Sequence, residues 1–285
     1  MNKAFQVTIT LAALVLANWL GGANAMATPA PDCRDLCANA QKVVDAVFAK
    51  QYPYDGCDQT FARCLAADPP HPLVVRLANY ICRRAVTGQT EEEVTRSLER
   101  RALTMMRPGR THEIDLTANP PKGDPTAKVQ LVVYLCATCP FCSRILPRLV
   151  HEVEEGRLKG KVGLHVRPFP LRGHAVSNES ALAITAAGRM GRFWEYFLHL
   201  YANFDALRED RLAGWAADIG LDRAKFEAEY KSDETRQGLV AARMEGRRND
   251  ITATPTFFLN GRRYQADMDI DTVVDIVLEE LEALY

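Results

Sequence analysis

Beyond its first 25 residues the chain has no apolar run approaching the ~20 residues needed to span hydrocarbon, so the remainder is expected to be soluble. It also has no excess of charge: 35 Lys and Arg stand against 36 Asp and Glu, for a formal net charge of −1. A balance of this kind offers no electrostatic pull toward nucleic acid, which excludes that class of partner. The spacing Cys-x-x-Cys-His is absent, which argues against covalent haem, and no cysteine precedes Cys33.

The first 25 residues read as a secretory leader. Lys3 supplies a positive start, residues 8–20 form an apolar stretch of leader length, and Ala23-Asn24-Ala25 fits a small-x-small cleavage site. An uncleaved membrane anchor is the alternative. Removing residues 1–25 with Lys3 leaves 34 basic and 36 acidic residues, a charge of −2. The mature chain, periplasmic or otherwise exported, then meets an oxidising compartment in which cysteines pair or carry redox chemistry.

The eight cysteines fall into two populations. Cys33, Cys37, Cys57, Cys64 and Cys82 lie in residues 33–107, which follow a linker at 26–32 and read as helical throughout. Apolar residues recur at helical spacing over 35–50 and 73–86, the second run stopping at Gly88. Thr90 and Glu93 form a capping box for a further helix. Cys33 and Cys37, four apart, are expected on one helix face and cross-linked to Cys57 and Cys64, which leaves Cys82 to pair with Cys136 or stay a buried thiol. The segment is a small all-α, cysteine-rich domain whose role, as dimerisation element, cap or docking surface, is open.

Pro108-Gly109 marks the boundary to a second domain over 110–285. Residues 112–116 are expected as a short strand, 117–127 as a loop, 128–135 as a central buried strand and 162–166 as its neighbour. Residues 175–246 carry a helical period, 251–259 return to strand character, Asn260-Gly261 is a hairpin turn and a last helix begins near Asp271. The fold class implied is α/β, a thioredoxin-like core with an inserted helical subdomain at about 175–246.

Cys139-Pro140-Phe141-Cys142 sits where a buried strand runs into a helix. Unpaired N–H groups and the helix dipole there favour thiolate at Cys139, and Cys142, one turn on, is placed to close a disulfide or resolve a mixed one. Pro140 suits a first helical turn because it has no N–H to lose. Inside the apolar run 251–259, Thr254-Pro255 interrupts a strand, as a cis-proline does.

These pieces, with Phe169-Pro170-Leu171, His174, Gly191-Arg192-Phe193-Trp194-Glu195, Gly220-Leu221-Asp222 and Thr254 to Gly261, stand in the order found in DsbA-like thiol–disulfide oxidoreductases, which residues 110–285 resemble. The resemblance implies Cys139 as nucleophile, Cys142 as resolving thiol, Thr254 and Pro255 in substrate binding, and Pro140 and Phe141 as tuners of the potential. No cofactor is implied. Partners would be exported proteins with cysteines and a redox protein that recycles the pair. Many relatives carry a buried acid six residues before the first active cysteine, where this chain has Val133. Residues 72–101 faintly resemble the helical hairpin of CcmH-type cytochrome maturation proteins, and nothing is carried over from that likeness.

Cys136 extends the run to Cys136-x-x-Cys139-x-x-Cys142. Leu146 occupies the place where an iron–sulfur run would want a fourth cysteine. Cys136 is open to three readings: a buried accessory thiol, a disulfide partner of an N-terminal cysteine, or a thiolate ligand with Cys139 and Cys142 in a metal-handling or partner-docking protein. His174 reads as a surface or capping residue.

Overall fold

The computed structural model describes Cys33, residues 36–106 and residues 110–284. The leader at 1–25, the linker at 26–32 and the Pro108-Gly109 boundary lie outside the described residues.

Four helices form the N-terminal unit: α1 (Ala38–Lys50), α2 (Phe61–Cys64), α3 (Pro72–Val86) and α4 (Glu91–Met105). Pro72 opens α3, where its missing N–H costs nothing, and the His71 ring accepts from Leu73 N at 3.2 Å. Val74, Leu77, Ala78, Ile81, Cys82 and Ala85 then bury one stripe, and Gly88 follows the helix at φ +85°, a backbone setting that suits glycine. At α4 both bonds of the Thr90–Glu93 capping box are made. Val44, Val47, Phe61, Leu77, Ile81 and Val94 are the centre of a core separate from that of the second unit.

The disulfides differ from expectation. Cys33 is bonded to Cys82, and Cys57 to Cys64, while Cys37 is an exposed thiol. Helix α1 begins only at Ala38, with Cys37 as its N-cap, so Cys33 and Cys37 share no helix face. Cys82 lies on the buried stripe of α3 and meets Cys33 at a Cα–Cα separation of 5.5 Å. A Cys82–Cys136 link is thereby ruled out in this structure. Cys57 and Cys64 close a local loop ending on α2.

The second unit runs β1 (Lys122–Gly123), β2 (Val129–Leu135), α5 (Pro140–Glu154), β3 (Val162–Pro168), α6 (Ser177–Arg189), α7 (Phe193–Ala202), α8 (Leu212–Asp218), α9 (Arg223–Tyr230), α10 (Asp233–Arg248), β4 (Thr256–Leu259), β5 (Arg262–Arg263) and α11 (Ile270–Ala283). The five strands lie in the order β1-β3-β2-β4-β5. β2 and β3 are parallel, and the other pairs antiparallel. β2 is therefore central and buried on both faces, which is why its sequence is nearly continuous in apolarity. Its odd residues, Leu131, Val133 and Leu135, join α5, α7 and α11 in the main core; Val132 and Tyr134 face the opposite side with Phe169 and Phe258.

Three strand expectations change. Residues 112–116 form no strand: His112 N donates to Gly261 O at 2.8 Å, but Asn249 Nδ2 takes Glu113 O and Glu245 takes Asp115 N, so side chains replace a ladder. Within the expected loop 117–127, Lys122 and Gly123 pair with β3. The strand expected over 251–259 begins at Thr256, the first residue after Pro255, which has no N–H to offer a ladder. The Asn260–Gly261 turn follows, with φ of +49° and +76°, as a tight hairpin requires.

The two units meet along α11 and the segment before it, mainly through charge. Arg101 of α4, with a fully buried side chain, bonds Asp275 at 2.7 Å and also Glu279. Arg76 and Arg83 of α3 reach the same Asp275 at 2.6 and 3.0 Å. The arginines hold the Asp275 carboxyl below its usual range against the opposing effect of burial.

Candidate active site

Cys139 is the N-cap of α5, with extended backbone (φ −91°, ψ +121°), and Pro140 opens the helix behind it. The strand-to-helix junction aims the first N–H groups of α5 at the Cys139 sulfur. The Cys139 thiol is lowered from the ordinary range to about 5, first by its hydrogen bond with Cys142 and then by the N–H groups of Cys142 and Phe141, with burial working against the shift. Cys142 is fully buried, and burial, followed by the neighbouring Cys139, pushes its thiol well up. The two sulfurs are thus unequal: one is ready to ionise and the other is held as a thiol. Both are reduced in this structure.

The loop before β4 brings in the second motif from 115 residues away in sequence. The Thr254–Pro255 bond is cis, and Cys139 Sγ lies 3.4 Å from Thr254 O. Phe141, 64% exposed, stands beside the pair with the Arg144 guanidinium over its ring at 4.9 Å. Cys139, Cys142, Phe141, Thr254 and Pro255, far apart in the chain, are therefore gathered at one end of β2 and β4.

Cys136 is buried but turned elsewhere. Its sulfur is 3.1 Å from Ser177 Oγ, 3.4 Å from Thr138 Oγ1 and 3.6 Å from His174 Nδ1, while its carbonyl accepts from Tyr201 OH at 3.0 Å. His174 is exposed, as expected of a surface residue, yet its ring also reaches Cys136. Among the described residues no three His, Cys, Asp or Glu side chains converge as metal ligands.

Val133 lies in the same core as Cys142, so no carboxylate faces the buried thiol from that position. A buried acid of this unit, Glu245, lies on the other side of the sheet. It accepts from Arg167 Nε at 2.9 Å, Tyr134 OH at 2.7 Å and Asp115 N at 2.8 Å. Sequence reasoning missed this cluster, because Glu245 is one of many charges on a helical stretch and only packing of α10 on β3 buries it. It missed Tyr201 for a related reason: its place in an aromatic stripe signals core and says nothing of which backbone carbonyl the hydroxyl meets.

Comparison with known proteins places the chain. A thioredoxin family model matches residues 117–279. A Na(+)/H(+) antiporter NhaA from Mycobacterium sp. (strain KMS) is 31% identical over 177 residues, a match that covers 60% of this chain and 27% of the antiporter's length. Oxidised BdbD from Bacillus subtilis superposes with a TM-score of 0.54 at 17% identity, covering 60% of this chain and 97% of that one. A thioredoxin-like oxidoreductase from Silicibacter pomeroyi gives 0.50 at 19% identity, covering 58% and 94%. At these identities the likeness to the solved structures is one of fold: a thioredoxin fold carrying an inserted helical subdomain, α6 to α10.

Proposed function

The chain belongs to the thioredoxin family, and on that premise we propose that it is an exported thiol–disulfide oxidoreductase acting on cysteine-containing proteins through Cys139 and Cys142. The observation that carries the reading is the inequality of the two sulfurs at the start of α5. When the pair is oxidised, a substrate thiolate attacks Cys139 Sγ, the Cys139–Cys142 bond breaks, and Cys142 leaves as a thiolate that takes up a proton. A second substrate thiolate then attacks the substrate sulfur of the mixed disulfide and releases Cys139 as thiolate. Two electrons have moved from substrate to protein, and a separate redox partner must remove them.

A thiol lowered to about 5 is ionised near neutral pH, which stabilises the dithiol over the disulfide and favours the oxidising direction. Thr254, with its carbonyl against Cys139, and Pro255 would hold the substrate backbone beside the sulfur. Pro140 and Phe141 would set the potential through the geometry of the first turn. With Val133 in the acid position, the proton for Cys142 comes from water or the substrate thiol.

The decisive experiment follows oxidation of a reduced test protein by the wild-type chain and by Cys139→Ser. Cys139→Ser should abolish turnover while keeping the fold; full activity of that variant would refute the reading. The potential of the pair should lie at roughly −200 to −120 mV. A value at or below about −270 mV would reverse the direction of electron flow.

A further inference from the structure

A groove of about 600 Å³ opens beside the cysteine pair, with Thr254 and Pro255 lining it. Phe141, Arg144 and Arg148 of α5 form one wall, and Met268, Asp269 and Asp271 the other. The charges of the two walls are in different states. Asp269 is bonded by Arg84 of α3 at 2.8 Å and Asp271 by Arg157 at 2.9 Å, a guanidinium it shares with Glu152, so both acids are engaged by arginines that do not line the groove. Opposite them, Arg144 and Arg148 are exposed, and among the described residues neither has a carboxylate at ion-pair distance.

The acidic wall is held by the N-terminal helices more than by its own sheet. Arg84 bonds Asp267 as well as Asp269, Arg100 bonds Asp267, and Tyr80 OH donates to Asp267 at 3.0 Å. Thr104 Oγ1 of α4 accepts the backbone N–H groups of Gln265 and Ala266 at 2.9 and 3.0 Å. Gln265, Ala266, Asp267 and Asp269, which make these bonds, belong to the connection between β5 and α11 whose Met268 and Asp269 line the groove.

We propose that the site prefers substrate segments with an acidic residue flanking the reacting cysteine, and that α3 and α4 enforce the preference by keeping Asp269 paired with Arg84. The inference rests on the oxidoreductase reading and names the substrate class of that same site. An acidic side chain meets Arg144 and Arg148 unopposed. A basic one meets two like charges and two carboxylates that are already engaged, so discrimination comes from repulsion as much as attraction.

The test uses two reduced peptides that differ only in Glu or Lys beside one cysteine, and kcat/KM for their oxidation by the oxidised full chain. At low salt the Glu peptide should react about tenfold faster, falling toward equal rates near 1 M salt, as exposed charges at this range require. Arg144→Glu with Arg148→Glu should invert the preference. Arg84→Ala should narrow it without moving the potential of the pair, because Arg84 touches neither cysteine. Adding Asp269→Asn, which keeps a side chain able to cap α11, should restore it. Equal rates for the two peptides at low salt would overturn the preference, and an unchanged ratio in Arg84→Ala would overturn the part played by α3. Failure to oxidise either peptide with the pair shown to be oxidised would instead sink the oxidoreductase reading.

Discussion

In the N-terminal helices four cysteines are consumed in the Cys33–Cys82 and Cys57–Cys64 cross-links, whereas Cys136, Cys139 and Cys142 of the second unit are all thiols. The difference follows from the size of the two cores. The helical unit is short, and its core is a few residues from each of four helices. Domains of that size bury too little apolar surface to oppose chain entropy comfortably, and cross-links that restrict the unfolded chain make up the deficit. The thioredoxin unit has a five-stranded sheet with helices on both sides and needs no staple, so its cysteines stay as thiols. Charge separates the two regions again: the helical unit presents arginines at the contact, the other unit Asp and Glu.

The largest effect that would test this contrast is on stability. Replacing Cys33 and Cys82 by alanine removes a closure spanning a sequence separation of 49, which loop entropy values at roughly 4 kcal/mol. The same change at Cys57 and Cys64, separated by 7, should cost roughly 2.5 kcal/mol. Denaturant unfolding of the α1–α4 region measures both. Equal losses, or none, would mean that the cross-links do not carry the small core.

The second way to sharpen the comparison is a pH titration of thiolate absorbance in the reduced chain, with Cys139→Ser subtracted. The difference should have its midpoint near pH 5. Because the folded value lies below that of an ordinary thiol near ~8.5, the stabilisation it gives the dithiol state is complete above the ordinary value. It shrinks as pH falls and is gone below about 5, so the oxidising advantage of the pair over an ordinary dithiol couple at the same pH should vanish there. A midpoint above pH 7 would remove the argument for an oxidant. The smallest effect belongs to local structure: Thr90→Ala deletes half of the α4 capping box and should cost about 1 kcal/mol with no change in the potential.

Much of this was legible in the chain, and the limits are instructive. The α4 cap was readable because Thr90 and Glu93 are neighbours along one turn, so their bond needs no other part of the molecule. The Cys139–Cys142 junction was readable for the same reason. The pairing of Cys33 was not: it depended on where α1 begins and which stripe of α3 is buried. Glu245 and Arg167 look like surface charges in sequence, and only the packing of α10 over β3 makes them a buried pair.

By itself the sequence determined the elements whose causes are local: the helical periods, the buried central strand, the Asn260–Gly261 turn and the cysteine pair at a helix start. Those depend on backbone geometry and on neighbours within a few residues. Tertiary structure alone decided which distant groups meet. It set Thr254 against Cys139, joined Cys33 to Cys82, and turned Cys136 toward Ser177. It also tied Asp267 and Asp269 to arginines of the N-terminal helices. Contacts of that kind are won by burial and charge pairing summed over the whole fold, and no single stretch of chain carries the sum.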